Sequence, residues 1–491
     1  MMPWMGLALL VFVGLGVVLT GLPVPVILLA AASLGAAIGA ISGQVPIDLL
    51  TALPERLINL LDNDLVQAIP LYVVMGALID RLPVAEALYR LGLAFLPRSR
   101  AAPVVSGIAL GALIGPMNGS VGASVLALSR VLAPRLEAFG IPLPRRAAVI
   151  TVASTLGVVV PPSLVLILLG DAMLAAHTIA VTATGREDRV INTQDVFHGA
   201  LAPAGIFLVA CLLIAWWFNR RAEPNPAAER AAADTRLSLQ QVVLGVSALL
   251  AIVTLLGGVA LGYFYAVEAA AVGGFSLLIA GLVGRRLTVP VLSELLRDTL
   301  ALTGTLFFVL IGATTLTLVL RVLGTDQLVT GWIAAIPGGQ LSAVAVVLGG
   351  IWLCALVLDA FEIIFVVVPI AIPPLLIRVD DAVWVAVLVL LVVQTSFLVP
   401  IIGYSVMMTR TVLKASIEFL ALLRSLLPYL LAQWALLVAV LLLPSLTHLG
   451  QTEADRSRKP PDIPQEELDR RIQQMLVPDP EAPSNSAPHS R

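Results

Sequence analysis

Charge is what this chain most lacks. Only 12% of its 491 residues are Asp, Glu, Lys or Arg, against about 25% in a soluble domain. Much of that charge is gathered in residues 219–236 and 451–491, which leaves the rest barer still. A water-soluble fold of this length cannot hide so much apolar surface, so a soluble enzyme, a nucleic-acid binder and a disordered scaffold are excluded. Cysteine and histidine are also scarce, at two and four residues. Cys211 and Cys354 lie inside apolar runs and read as small core residues, not as a disulfide. The histidines at 177, 198, 448 and 489 show no metal-ligand spacing. There is no H-E-x-x-H, G-x-x-x-x-G-K-[ST] or G-x-S-x-G run. Neither a metal hydrolase nor an ATP-driven pump has a foothold, and the chain is not expected to be an enzyme. A net charge of −2 gives no sign of a nucleic-acid partner.

What the chain has is apolar length: 59% of it is hydrophobic and its mean hydropathy is +1.00. A helical span needs about 20 apolar residues. Candidates are Leu7–Thr20 and residues 23–43, 64–84, 103–116, 146–182 (broken), 199–218, 237–256, 258–283, 298–320, 340–358, 382–412 (broken) and 426–447. Residues 46–62 read as an interfacial amphipathic segment. No basic residue precedes Arg56, so Leu7–Thr20 is expected to be a retained membrane helix and not a signal peptide. The chain divides into a first membrane half (1–218), a cytoplasmic linker (219–236), a second membrane half (237–450) and a disordered polar tail (451–491). Basic residues of short loops set orientation. They place Arg90, Arg98, Arg100, Arg220, Arg221, Arg285, Arg286 and the tail with Arg456, Arg458 and Lys459 inside. The N-terminus and Gly185–Asp195 then lie outside.

The most informative positions are those where the apolar runs break. In the first half the breaks are Gly115–Ser124 and Thr155–Ser163; in the second they are Leu358–Glu362 and Gln394–Pro400. Pro134 and Pro161 have the same spacing as Pro373 and Pro400, and at that offset Ser120 corresponds to Asp359 and Gly157 to Ser396. Unwound chain survives at membrane depth only where protein or a wet cavity covers it. Its freed carbonyls can coordinate a cation, and half-helix N-termini can face an anion. Two Gly/Pro-interrupted segments at matching places in two halves therefore point to a transporter site. A charge inside hydrocarbon costs about 2.5–3.5 kcal/mol on insertion scales and should be paired or line a pathway. On that ground Asp359 reads as an ion ligand or a helix cap, and Glu362 as its structural neighbour. Glu268 is expected to tie two helices together, and Arg321 and Asp326 to flank a helix end at the interface.

On these residues the chain resembles the large membrane subunit of the tripartite ATP-independent periplasmic (TRAP) transporters, the DctM-like permeases, over about residues 5–447. The likeness rests on Ala68–Leu78, Gly119–Ser124, Ala153–Ser163, Glu268–Gly273, Leu358–Ile364 and Gln394–Phe397. It implies an all-α polytopic fold of about 11–12 transmembrane helices plus two re-entrant hairpins in two inverted repeats. It also implies an elevator-type symporter in a bacterial inner membrane, moving a carboxylate-bearing solute inward with sodium and using no other cofactor. The implied partners are a periplasmic solute-binding protein and a separate small four-helix membrane subunit. By position, Asn118, Gly119, Ser120 and Gly122 would form the first hairpin tip, and Ser154, Thr155 and Gly157 the first unwound helix. Pro161, Pro162 and Ser163, with Pro400, would border the substrate cavity. Asp359 and Phe361 would sit at the second hairpin, and Gln394, Thr395 and Ser396 at the second break. Val392, Val399 and Ile401 replace an Asn, a Thr and a Pro of the family's pattern, so the first-half ion site is expected to be the better preserved. A carrier of the same superfamily without a binding protein, and a non-transporting scaffold subunit, are the alternatives.

Overall fold

In hydrocarbon a chain must satisfy its own backbone hydrogen bonds, and the long Leu/Val/Ala runs do so as helices. The computed structural model describes residues 3–43, 53–96, 99–186, 189–220, 238–400, 402–414 and 417–449. Among them, nine helices are long and apolar enough to cross a membrane, or ten if one bent pair counts as a span, and no strand occurs. The linker from 221 to 237, the tail from 450 on and Ile401 lie outside the described residues.

The first half runs through α1 (Pro3–Thr20), α2 (Val24–Ile41), the short α3 (Leu53–Leu61) and α4 (Asp64–Arg81). Next comes α5 (Val84–Phe95), bent 65° from the helix before it. Then come α6 (Ala102–Ile114), α7 (Val121–Ala138), α8 (Leu143–Val159), α9 (Leu164–Thr184) and α10 (Thr193–Asn219). The second half comprises α11 (Leu239–Ala260), α12 (Ala266–Val283), α13 (Val289–Val322), α14 (Thr325–Ala335) and α15 (Gln340–Ala355). It continues through α16 (Ala360–Arg378, with a π turn at Ile363–Val367), α17 (Ala382–Phe397), α18 (Tyr404–Leu413) and α19 (Phe419–Leu442).

Ion pairs and loop contacts show which ends share a face. One face holds Arg81 paired with Asp298, Glu86 with Arg90 and Arg135, and Glu137 with Arg146. Gly245, near the start of α11, packs on Ala87 and Leu91 at this same face. The opposite face holds Arg186 paired with Asp380, His448 with Asp381, and Gln194 donating to the carbonyls of Val259 and Ala260.

Two hairpins do not cross. Tyr89 donates to the Pro103 carbonyl at the start of α6, while Arg135 near the end of α7 meets Glu86 on the same α5. The α6–α7 hairpin therefore enters and leaves by the first face. Arg378, ending α16, donates to the carbonyls of Ile333, Ile336 and Gly338 just before α15. The α15–α16 hairpin enters and leaves by the opposite face. Helices α8 and α9 form one crossing broken at mid-depth, and α17 and α18 form another running the other way. The two halves thus repeat one design in inverted topology. Ser120 and Asp359, matched by offset in the sequence, are the N-cap residues of α7 and α16.

The structure corrects three expectations. The tail was placed on the same side as the 219–236 linker, opposite Gly185–Asp195. Instead α19 delivers Thr447 against Gly199 and His448 against Asp381, on the face that carries Arg186. The hairpins do not cross, and basic residues of a long tail weigh little in orientation. Glu268 ties no helices together: it is exposed and accepts the Tyr265 N–H at 3.0 Å, capping its own helix. Cys211 is buried as expected, but Cys354 is exposed; both are free.

Candidate functional site

The first hairpin tip and the first break meet through glycine. Gly119 has φ +70°, a left-handed turn that lets the chain reverse into α7. Gly115 and Gly157 approach so closely that a Cβ on Gly157 would lie 2.4 Å from the Gly115 carbonyl carbon. Gly76 of α4 lies against Asn118 in the same way, a Cβ there falling 2.8 Å from the Asn118 Cα. Ser120 caps α7 by accepting the Ala123 N–H, and Ser163 caps α9 by accepting the Leu166 N–H while donating to the Val158 carbonyl at 2.8 Å.

Between these elements lies a cavity of about 10 Å³, lined by Ser120, Ser124, Ser154 and Ser163 with Gly115, Gly119 and Gly157 among its walls. That is room for one water-sized body, and the lining is rich in hydroxyl and backbone oxygen. Asn118 is buried, donates to the Ser124 hydroxyl at 3.3 Å, and leaves its own Oδ1 without a partner. Such an orphaned buried acceptor calls for a ligand. Oxygen donors around an ion-sized space suit a hard monovalent cation.

Of the first-half residues singled out in the sequence, Gly119, Ser120, Ser154, Gly157 and Ser163 line this space, and Asn118 stands behind it on Ser124. Ser154, Thr155 and Gly157 were expected in unwound chain but are helical, because α8 runs on to Val159 and only Val160–Ser163 leaves the helix. Thr155 is buried, but its hydroxyl turns back to the Val152 carbonyl and does not line this cavity. Gly122 faces elsewhere: a Cβ there would meet the Tyr404 hydroxyl at 2.7 Å. Pro161 and Pro162, joined by a cis peptide bond, are buried at the break without lining the cavity.

At the second hairpin tip, Glu362 accepts the Asp359 N–H, a side-chain cap reaching back across the first turn of α16. Asp359 Oδ1 is buried and unpartnered. Phe361 is buried beside it. In α17, Gln394 is fully buried with neither Oε1 nor Nε2 partnered, whereas Thr395 and Ser396 donate to their own helix at Leu391 and Val393. Pro400 is buried at the break. The second site therefore offers orphaned oxygens on Asp359 and Gln394, while the Thr395 and Ser396 hydroxyls are spent on their own helix.

Sequence reading missed how the halves are joined. The Ser154 and Ser405 hydroxyls are 2.8 Å apart and one donates to the other. Ser154 lies 2.8 Å and Ser405 3.2 Å from the Thr151 carbonyl that accepts the remaining hydrogen, and Thr151 donates to Thr409. This hydroxyl ladder links α8 of the first half to α18 of the second. Tyr404, beside Ser405, reaches the first hairpin tip, where a Cβ on Gly122 would meet its hydroxyl at 2.7 Å, and its ring packs on Phe397 of α17. The signal was present as Tyr404-Ser-Val-Met-Met-Thr409, but only the fold brings it to α8. A second, larger cavity of about 350 Å³ lies between α9, α13 and α16.

Hairpins inserted from opposite faces onto two helices broken at mid-depth define a membrane transporter of inverted-repeat design. Comparison with known proteins sharpens the class. Residues 9–446 match the family described as "Tripartite ATP-independent periplasmic transporter, DctM component", and the chain belongs to that family. It is 24% identical over 411 residues to the "C4-dicarboxylate TRAP transporter large permease protein DctM" of Rhodobacter capsulatus, covering 82% of this chain and 90% of that one. It is 22% identical over 448 residues to the "2,3-diketo-L-gulonate TRAP transporter large permease protein YiaN" of Escherichia coli K12, covering 90% and 98%. Among solved structures, the Alcanivorax borkumensis YdaH transporter shares the fold with a TM-score of 0.58 at 15% identity, over 91% of this chain and 98% of that one.

Proposed function

We propose that the chain is the large permease of a sodium-coupled importer of a carboxylate-bearing organic solute. A periplasmic binding protein delivers the solute, and a separate small membrane subunit completes the complex. The observation that carries this reading is the ion-sized, hydroxyl-lined cavity where the first hairpin tip meets the first broken helix. Carbonyls freed at the two breaks provide cation sites, and the positive N-terminal ends of α7 and α16 that begin there favour an anion, the carboxylate of the solute. The space holds an ion and not an acid, so ion and solute occupy different places and couple through the tips.

The face carrying Arg81, Arg90, Arg135, Arg146, Arg285 and Arg286 is the more basic and is assigned to the cytoplasm. The hairpin α15–α16 then enters from the periplasm, and the N-terminus and residue 449 lie on the periplasmic side. Transport proceeds by movement of the hairpins and broken helices as a body against α13 and its neighbours, an elevator-type step. The test is uptake of gluconate, pyruvate and succinate into proteoliposomes holding the permease, its small subunit and its binding protein. Uptake of at least one acid that collapses without a sodium gradient supports the reading. Uptake that persists in potassium alone removes sodium from it. Absence of any acid uptake with all partners present leaves the scaffold alternative standing.

A further inference from the structure

The larger cavity has a built chemistry that the ion site does not use. Thr314, Thr317 and Arg321 follow at three- and four-residue intervals on one face of α13 and line it, with Asp171 of α9 opposite and Asn63 and Asp326 at its edge. Its volume of about 350 Å³ suits a small organic molecule. It lies toward the face reached by the start of α4, the end of α13 and the start of α14, the side assigned above to delivery.

The charges in it are specific. Arg321 makes no hydrogen bond or ion pair among the described residues. A guanidinium at the end of a membrane helix with no partner is set to receive an anion, and its planar fork suits a carboxylate. Two carboxylates oppose it. Asp326 is engaged in the first turn of α14, where its Oδ1 accepts the Gln327 N–H at 2.9 Å. Asp171 accepts from the Asn63 side-chain amide at 3.3 Å. One cation against two anions offers a single carboxylate seat. The remaining walls, Asp171 and the threonine hydroxyls, call for hydrogen-bond donors and not for a second negative charge.

We infer that this cavity is a solute vestibule selective for hydroxylated monocarboxylates, the carboxylate on Arg321 and the hydroxyls toward Asp171, and that it rejects dicarboxylates. The inference rests on the transport reading above and adds the solute class to it. A dicarboxylate seated on Arg321 would bring its second charge toward Asp171, and such like-charge juxtaposition lowers affinity by at least about tenfold.

The test uses the full chain in proteoliposomes with Cys211→Ala and Cys354→Ala, and Thr314→Cys as reporter. An impermeant thiol reagent is added outside with gluconate, butyrate or succinate as protectant. Gluconate is expected to slow labelling at least severalfold, with butyrate and succinate far weaker. Arg321→Gln should remove protection by gluconate while Arg321→Lys keeps part of it, and Asp171→Asn should let succinate protect. Thr317→Cys serves as a second reporter. Protection by succinate equal to that by gluconate, or protection that survives Arg321→Gln, overturns the inference. So does labelling slowed by phosphatidylglycerol vesicles and indifferent to every acid, which would make Arg321 a lipid-headgroup contact. If no acid protects while uptake in the same liposomes persists with Arg321→Gln, the vestibule falls and transport stands. If no acid is taken up at all with the partners present, the transport reading falls with it.

Discussion

Gly157→Ala puts the smallest extra group into the closest contact of the site. The new Cβ would sit 2.4 Å from the Gly115 carbonyl carbon and 2.6 Å from its Cα and O, against ordinary contact beginning at 3.4 Å. All three opposing atoms are backbone, so no side chain can swing aside. The hairpin tip and the broken helix must part by about 1 Å, and overpacking of this kind costs about 1–3 kcal/mol. Parting them opens the cavity that Ser120, Ser154 and Ser163 share. If the cost falls on the ion-bound arrangement, apparent sodium affinity drops by about 5- to 150-fold. Gly304→Ala is the matched control: nothing lies within 4 Å of its Cβ, and alanine there gains helix propensity of up to about 1 kcal/mol. The assay is initial uptake against sodium concentration, with thermal unfolding of both variants to show that they fold. Parental sodium dependence in Gly157→Ala would refute the reasoning, because the close contact would then have no bearing on the ion.

The remaining expectations concern the ladder, the hairpin anchor and the topology. Ser154→Ala leaves Ser405 facing an apolar methyl and should cost about 1–2 kcal/mol; a double-mutant cycle with Ser405→Ala should show coupling, and additive effects would deny that the ladder joins the halves. Arg378→Ala frees the carbonyls of Ile333, Ile336 and Gly338. It should lower thermal stability by about 2 kcal/mol, and an unchanged melting temperature would mean that the hairpin ends are held by other contacts. In a background without Cys211 and Cys354, an impermeant reagent should label Leu449→Cys from outside cells and leave a cysteine at position 229 unlabelled. Labelling of both or of neither would overturn the placement of residue 449 and the linker on opposite sides of the membrane.

Much of this design was legible in the sequence, because membrane depth forbids unsatisfied backbone. The breaks read at Gly115–Ser124 and Thr155–Ser163 are real but shorter, since helix resumes at Val121 and persists to Val159, and their counterparts at Asp359 and Pro400 stood at the matching offset. The offset paired Ser120 with Asp359, but that both are N-caps is a finding of the structure; the sequence left Asp359 as an ion ligand or a helix cap. Which limbs returned to the face they left did not, because this is set by Arg378 reaching Gly338 and Arg135 reaching Glu86 across long stretches of chain. Apolar limbs such as residues 103–116 and 340–358 look the same whether they cross or turn back, so the face that the end of α19 reaches was not legible from them. Thr155 was named beside Ser154, yet a rotation of about 100° per residue decides which hydroxyl enters the cavity. The convergence of Asn63, Asp171 and Arg321 left no local pattern, since the turn before α4 and two separate helices supply it.

Coupling itself is tested most directly by radioactive sodium influx into proteoliposomes containing the permease, its small subunit and binding protein, loaded in turn with gluconate, pyruvate and succinate. The expected result is sodium entry that rises with the transported acid, stays in fixed proportion to it, and is lost together with solute uptake in Ser120→Ala and Ser154→Ala. Solute uptake with no accompanying sodium, or sodium entry untouched by both substitutions, would contradict the assignment of the cavity between Gly115 and Gly157 to the coupling ion.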